Sequence, residues 1–261
     1  MTRKSAIILL AGGQARRMGG GDKNLIELAG KPVLRHVLDR VDFANRPIML
    51  NANGDPARYA DFGLPVCADV IDGYAGPLAG ILTGLEWVAA NQADCTHMVS
   101  LATDAPFLPI DLIARLESGL DDGADIAQAM SYTRRHPVFA IWPVALADAL
   151  RKAVIDDGLR KIDDFTARHH CVTVEFVGTP DPFMNLNQPD DFDLAIEFLT
   201  KPSQDRCPII KLTLIWLFVL KPVIRLLFDL SGQEEPHAHD QSGNCIGKDI
   251  IFCLSRSLDR P

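Results

Sequence analysis

Several things are missing from this 261-residue chain, and each absence removes a class of protein. Its six cysteines, Cys67, Cys95, Cys171, Cys207, Cys245 and Cys253, form no C-x-x-C pair. The thiols therefore read as reduced cytosolic residues, mostly buried filler, rather than as a disulfide framework or a zinc ribbon. Positive charge is not in excess: the formal net charge is −8, against the basic balance of a general nucleic-acid binder. No uncharged apolar run reaches the roughly 20 residues that a spanning helix needs. The strongest candidate, within 209–220, is bounded by Lys211 and Lys221 and leaves nine uncharged residues. The apolar stretch near the N-terminus is short and runs straight into a glycine-rich loop, so a signal peptide is not expected. There is also no Ser-His-Asp arrangement, and His36, His97 and His136 show no evident partners in sequence.

What is present is a core-sized apolar fraction of 48% and one unusual segment. The apolar run Ala6–Leu10 reads as a buried strand and passes into a loop with five glycines, Gly12, Gly13, Gly19, Gly20 and Gly21, and three cations, Arg16, Arg17 and Lys23. Glycine backbones pack tightly and bring N–H groups against a ligand, and rows of N–H groups cradle phosphate oxygens. The cations can neutralise phosphate charge. A strand followed by a basic, glycine-rich loop points to a nucleoside triphosphate. A Walker A loop is excluded because Lys23 lies between Asp22 and Asn24, and a dinucleotide fingerprint because the glycines are adjacent.

Strand-like and helix-like segments alternate as far as Leu199. Strands are expected at Ile48–Leu50, Pro65–Ala68 and Met98–Leu101. Helices are expected from Pro32, over Leu78–Asn91 and over Pro109–Leu120, with Leu25–Leu28 extended. Two shorter strands are expected around Arg134-Arg135-His136-Pro137, then helices near 144–156 and 160–168, a strand at Val172–Val177 and a last helix at 189–199, with Pro189, Asp190 and Asp191 at its start. This order predicts an α/β, Rossmann-like fold with a mostly parallel sheet and helices on both faces. Ligands in such sheets bind beyond the carboxyl ends of the strands. The Gly loop, Asn51, Asp69 and Asp104 all fall there. Asp104 is the candidate magnesium ligand, because magnesium takes carboxylate together with phosphate oxygens. Asn51 offers donor and acceptor to a base edge or ribose, and Asp69 an acceptor. Composition shifts after Thr200, so 1–200 reads as the working domain and 201–261 as an appended tail. The tail's Gly243–Asp249 has the wrong spacing for a phosphate loop.

The segment Leu10-Ala11-Gly12-Gly13-…-Arg17-Met18-Gly19-…-Lys23 resembles the L-A-G-G-x-x-x-R-M-G-x-x-K signature of the molybdenum cofactor guanylyltransferase (MobA) family, with one extra residue between Met18 and Lys23. Ala102–Phe107 resembles that family's C/A-x-D-x-P-F/Y metal motif. Tyr74–Gly80 resembles its P-G-P-L-A-G turn, with Ala75 in place of the first proline. Asn185-Leu186-Asn187 resembles its N-x-N. The resemblance implies GMP transfer from GTP to molybdopterin with release of pyrophosphate, in the cytoplasm, with Mg2+ on Asp104 and Lys23, Arg17 and Asp104 as the catalytic set. It assigns Leu10, Ala11, Gly12, Gly13, Asn51 and Asp69 to GTP, and Gly76, Gly80, Asn185 and Asn187 to the pterin side. Each of these also has a plain structural reading: helix-start proline and packing glycine for 76–80, a capping asparagine for Asn187. A monomer is expected, with cofactor-delivery proteins or molybdoenzyme apoproteins as candidate partners. Cytidylyl transfer is the nearest alternative, although that type carries Ala in place of Gly12. A sugar-phosphate nucleotidyltransferase would have a longer loop. A non-catalytic delivery protein would not need an intact Lys23 and Asp104.

Overall fold

A computed structural model of the chain describes residues 4–12, 22–41, 46–71, 73 and 76–200. Gly13, Arg16, Arg17, Tyr74, Ala75 and the whole of 201–261 lie outside the described residues.

The first strand, β1 (Ser5–Leu10), lies inside the main sheet, third from one edge. From Ala6 to Leu10 it is apolar and almost wholly buried, as expected of a strand covered on both faces. Its neighbours are β4 (Ile48–Asn51) on one side and β6 (His97–Ala102) on the other, both parallel. A short hairpin, β2 (Glu27–Leu28) with β3 (Lys31–Pro32), stands apart from the main sheet. Beyond β4 lies β5 (Val66–Cys67), also parallel. On the far side of β6 come β7 (Ile126–Ser131), β8 (Arg134–Pro143) and β9 (Cys171–Phe176), giving a seven-stranded sheet in the order β5-β4-β1-β6-β8-β7-β9. The expected parallel arrangement holds except at β8, which runs antiparallel to both β6 and β7.

Alternate residues of β1 face opposite layers. Ile7 and Leu9 pack with Leu34, Val37 and Leu38 of α1 (Val33–Leu38) and with Leu112 and Leu116 of α3 (Leu112–Ser118). Ala6 and Ile8 pack with Leu78, Ile81, Leu82 and Leu85 of α2 (Pro77–Asn91), with Leu150 of α4 (Ala147–Ile155) and with Phe165 of α5 (Ile162–Thr166). Helices thus cover both faces, as the alternation predicts. A third, small cluster joins Leu28 of β2 and Val33 of α1 to Leu186 and to Phe192 and Ala195 of α6 (Pro189–Thr200). It ties the chain around 186 to the segment that follows the Gly loop.

Four expectations need correction. Residues 23–25 form a single 3-10 turn before the hairpin, so only part of Leu25–Leu28 is extended. The helix expected from Pro109 begins at Leu112, because Leu112 N–H bonds the Pro109 carbonyl in a turn. The reversal between β7 and β8 falls at Tyr132-Thr133, so Arg134–Pro137 lie inside a ten-residue strand. The described cysteines, Cys67, Cys95 and Cys171, are half-buried rather than core residues. Burial still pushes the Cys171 thiol up to about 11, which keeps it protonated and unreactive at neutral pH.

The placement of α2 depends on a close approach. A Cβ on Gly84 would lie 2.6 Å from Met98 Sδ and 2.7 Å from Ile8 Cγ1. Replacing a helical glycine by a better helix former gains up to about 1 kcal/mol, whereas overpacking a well-filled core costs about 1–3 kcal/mol. Gly84→Val, whose β-branch also crowds a helix, is therefore expected to lower stability by about 1–3 kcal/mol in chemical denaturation. A variant as stable as wild type would show that α2 can slide away from the sheet.

Candidate active site

Sheet register builds the site. Asn51 pairs with Leu10 and Cys67, and Leu10 pairs with Ala102, so these four residues lie abreast at the carboxyl ends of their strands. Two residues further along each strand's path come Gly12, Asn53, Asp69 and Asp104. A cavity of about 1010 Å³ opens at this edge. Its lining includes Leu10, Gly12, Lys23, Asn51, Asp69, Gly76, Gly80, Asp104 and Asn185. Two described candidates are not lining residues: Ala11, which is buried, and Asn187, which meets the site through Lys23.

One end of the cavity is ionic. Lys23 Nζ lies 2.7 Å from Asp104 Oδ2 and donates to Asn187 Oδ1 at 2.6 Å. The two charged side chains are only 10% and 20% exposed, so solvent screens the pair weakly. The carbonyl of Asp104 accepts from Leu186 N–H at 3.0 Å, and Thr103 Oγ donates to the Leu10 carbonyl at 3.1 Å. Three separate stretches of sequence are thus bonded at one point. Asn187 is not the helix cap that its position admits. Asp191 Oδ2 accepts from the N–H groups of Asn187 and Gln188 at 2.7 and 2.9 Å, which leaves the Asn187 side chain to hold the lysine.

The other end is a neutral–acidic array. Asn51 Nδ2 donates to Asp69 Oδ1 at 3.0 Å and to the Cys67 carbonyl at 3.2 Å. Asn53 Nδ2 donates to Asp69 Oδ2, and Asn53 Oδ1 accepts from Asp69 N–H, both at 2.8 Å. Asn53 was not among the sequence candidates, although its spacing of two from Asn51 along an extended path marks it. Gly80 has a definite structural role here. A Cβ on it would fall 2.4 Å from Asn51 Oδ1 and 2.8 Å from Leu10 Cδ2, so only glycine lets α2 approach the Asn51 side chain. At Gly12, by contrast, an added Cβ would meet no atom of the described residues within 4 Å, its chain neighbours apart.

Asp104 is a single carboxylate; among the described residues no group of three or more His, Cys, Asp or Glu stands together. That donor set is wrong for a protein-only metal cage but fits magnesium, which is held by one or two carboxylates with substrate phosphates completing the shell. The side-chain Oδ1 of Asn185, buried at the cavity wall, has no hydrogen-bond partner and is a second hard oxygen suited to such a cation.

The histidines do have partners, and they are structural. His36 Nε2 bonds the Leu28 carbonyl at 2.7 Å, and burial lowers its pKa. The His97 ring contacts Thr96 Oγ at 2.8 Å. His136 Nε2 lies 2.8 Å from Ser131 Oγ, which donates to Asp181 Oδ2 at 3.1 Å. Here serine, not histidine, bridges the other two, so this is not a nucleophilic triad. Burial lowers the His136 pKa as well.

Among the described residues no helix is long and apolar enough to cross a membrane. Residues 7–172 match the MobA-like NTP transferase domain family. The chain is 53% identical over 199 residues to the molybdenum cofactor guanylyltransferase of Rhodopseudomonas palustris (strain BisB5), covering 76% of this chain and 95% of that protein. It is 50% identical over 204 residues to the enzyme of the same name from Mesorhizobium japonicum, covering 76% and 98%. In fold it is similar to molybdopterin-guanine dinucleotide biosynthesis protein A from Archaeoglobus fulgidus, with a TM-score of 0.61 at 24% identity over 76% of this chain and 100% of that one. With its glycine-rich loop feeding a lysine–aspartate pair at the carboxyl edge of the sheet, this chain belongs to the MobA-like NTP transferase family.

Proposed function

We propose that the chain transfers GMP from GTP to the terminal phosphate of a molybdopterin cofactor in the cytoplasm, forming molybdopterin guanine dinucleotide. The observation that carries this reading is the Lys23–Asp104 pair at the cavity wall, held by Asn187, together with relatives of that activity aligned over 95% or more of their own length. An oxygen of the pterin phosphate attacks the α-phosphorus of GTP as the bond to the β-phosphate oxygen breaks. Pyrophosphate leaves, and no covalent enzyme intermediate forms. Catalysis of this kind rests on positioning and charge stabilisation.

Lys23, and Arg17 in the loop, neutralise the phosphates. Asn51, Asn53 and Asp69 form the array that reads guanine and ribose, with Leu10, Ala11, Gly12 and Gly13 lying against the nucleotide. Gly76, Gly80, Asn185 and Asn187 form the pterin-facing side. Mg2+ held by Asp104 would supply charge neutralisation on the triphosphate. The resting ion pair keeps the lysine at the reaction site before substrate arrives, so little reorganisation is needed when the phosphates enter.

The freedom at Gly12 supports guanine over cytosine. Among the described residues nothing crowds a Cβ there, and a methyl group at that point would crowd a purine more than a pyrimidine. Purified protein with molybdopterin, magnesium and each of four NTPs should release pyrophosphate far faster with GTP than with CTP. Gly12→Ala should keep the wild-type melting temperature and lose GTP preference. Equal or better kcat/KM of the wild type with CTP would overturn the guanylyl reading.

Asp104→Ala should lower kcat by a hundredfold or more, about 3 kcal/mol of barrier, at saturating magnesium. Lys23→Ala should weaken GTP binding and slow turnover, and Lys23→Arg should restore only part of both, because a planar guanidinium replaces a compact ammonium. Unchanged GTP affinity and rate in Lys23→Ala would remove the phosphate role.

Residues 201–261 are read as an appendage outside the catalytic domain, because the curated alignments span about 200 residues. A chain ending at Lys201 should fold, melt as a single transition and retain turnover within about twofold. It should also be more soluble, since the apolar run Leu214–Leu220 invites association. An insoluble or inactive truncation would show that the tail belongs to the working fold.

A further inference from the structure

Beside Lys23 stands a residue that the cavity's chemistry has not yet used. Asn24 lies on the same 3-10 turn, lines the cavity and is 3% exposed. Its two amide ends are in different situations. Oδ1 accepts from the hydroxyl of Tyr59 at 3.3 Å. Tyr59 is itself 1% exposed, and burial raises its phenol pKa above the ordinary value, so it stays a protonated donor. Nδ2 has no hydrogen-bond partner. A buried amide N–H left without a partner is costly, so a ligand oxygen that pairs with it gains what the free protein forgoes.

The orientation of the amide is held by its surroundings. Tyr59 belongs to the 3-10 segment Pro56–Phe62, and the adjacent Arg58 pairs with Asp22 and donates to the Asn53 carbonyl at 2.5 Å. The residues on either side of Lys23 are thus anchored to one element, and that element is bonded to the Asn53 loop. With Oδ1 committed to Tyr59, the uncommitted end of the Asn24 amide is the donor Nδ2. A free amide donor next in sequence to the one cation among the described lining residues suits a ligand group made of acceptor oxygens. Asp69 and its asparagines, at the other end, offer the mixture of donors and acceptors that a base requires.

We propose that the Asn24 side-chain amide is a second phosphate donor, binding a non-bridging oxygen of the nucleoside triphosphate beside Lys23. It adds a hydrogen bond without adding charge, and Tyr59 is its positioning residue. The inference rests on the nucleotidyl-transfer reading above.

The test uses the full chain and no molybdopterin. Asn24→Asp keeps an oxygen for Tyr59 to donate to but replaces the N–H donor by an anionic oxygen. Calorimetric affinities for magnesium GTP and for guanosine should separate: GTP weakens tenfold or more, and guanosine changes by less than twofold. In the 15N-labelled wild type, the Asn24 side-chain amide resonance should shift with GTP and with inorganic tripolyphosphate, and stay in place with guanosine. That second measurement stands even where the variant does not fold. Equal GTP affinities, an equal loss for guanosine, or an amide resonance that ignores tripolyphosphate would each overturn the assignment. Wild type that binds no GTP at all would overturn the guanylyl reading with it, whereas binding by wild type and variant alike would remove only the role of Asn24.

Discussion

A lysine ammonium at the edge of a buried sheet needs an anion and hydrogen-bond acceptors, and the rest of the site is arranged around meeting that need. Lys23 finds its anion in Asp104, on the loop after β6, and its neutral acceptor in Asn187, just before α6. A charge so little exposed would be expensive to leave unpaired. The pairing therefore pins the end of the Gly loop, the end of the second central strand and a segment more than 160 residues along the chain to one another. The same charge that costs free energy when buried is the charge that a triphosphate needs.

The packing shows how such a point is made rigid without burying the polar atoms in the core. The two large apolar clusters hold the sheet between its helical layers, and the third, around Leu28, Leu186 and Phe192, acts only on the site. Leu186 is the hinge of that arrangement. Its side chain is fully buried in the cluster with Leu28, its N–H is bonded to the Asp104 carbonyl, and of its two neighbours Asn185 lines the cavity and Asn187 holds Lys23. An apolar residue between two asparagines is how the chain anchors a pair of polar side chains at a cavity rim.

Much of this was legible in the sequence, for identifiable reasons. The apolar run of β1 and the spacing of Leu78, Ile81, Leu82 and Leu85 report burial directly, so the parallel α/β core and the convergence of strand ends could be read from pattern. Asn51, Asp69 and Asp104 were found because each follows a short apolar strand. What pattern does not encode is pairing between distant segments. The Lys23–Asp104 contact, the role of Gly80 in admitting the Asn51 side chain, and the hold of Asp191 on the N–H groups of Asn187 and Gln188 all depend on which residues meet in space. The antiparallel β8 and the position of its hairpin turn escaped for another reason: Tyr132-Thr133 carries no glycine, proline or asparagine to mark a reversal. Asn24 left no signal, since a buried amide beside a functional lysine looks like any loop residue.

The account stands on the claim that Lys23 and Asp104 are bonded in the free protein, before any nucleotide arrives. A double-mutant cycle on folding stability measures that directly, with Lys23→Met, Asp104→Asn and the double variant unfolded in denaturant without ligand or metal. For a pair this little exposed, a coupling of about 1 kcal/mol or more is expected, above the range of exposed pairs and below the cost of orphaning a fully buried charge. Additive single-variant effects, with a coupling indistinguishable from zero, would contradict it.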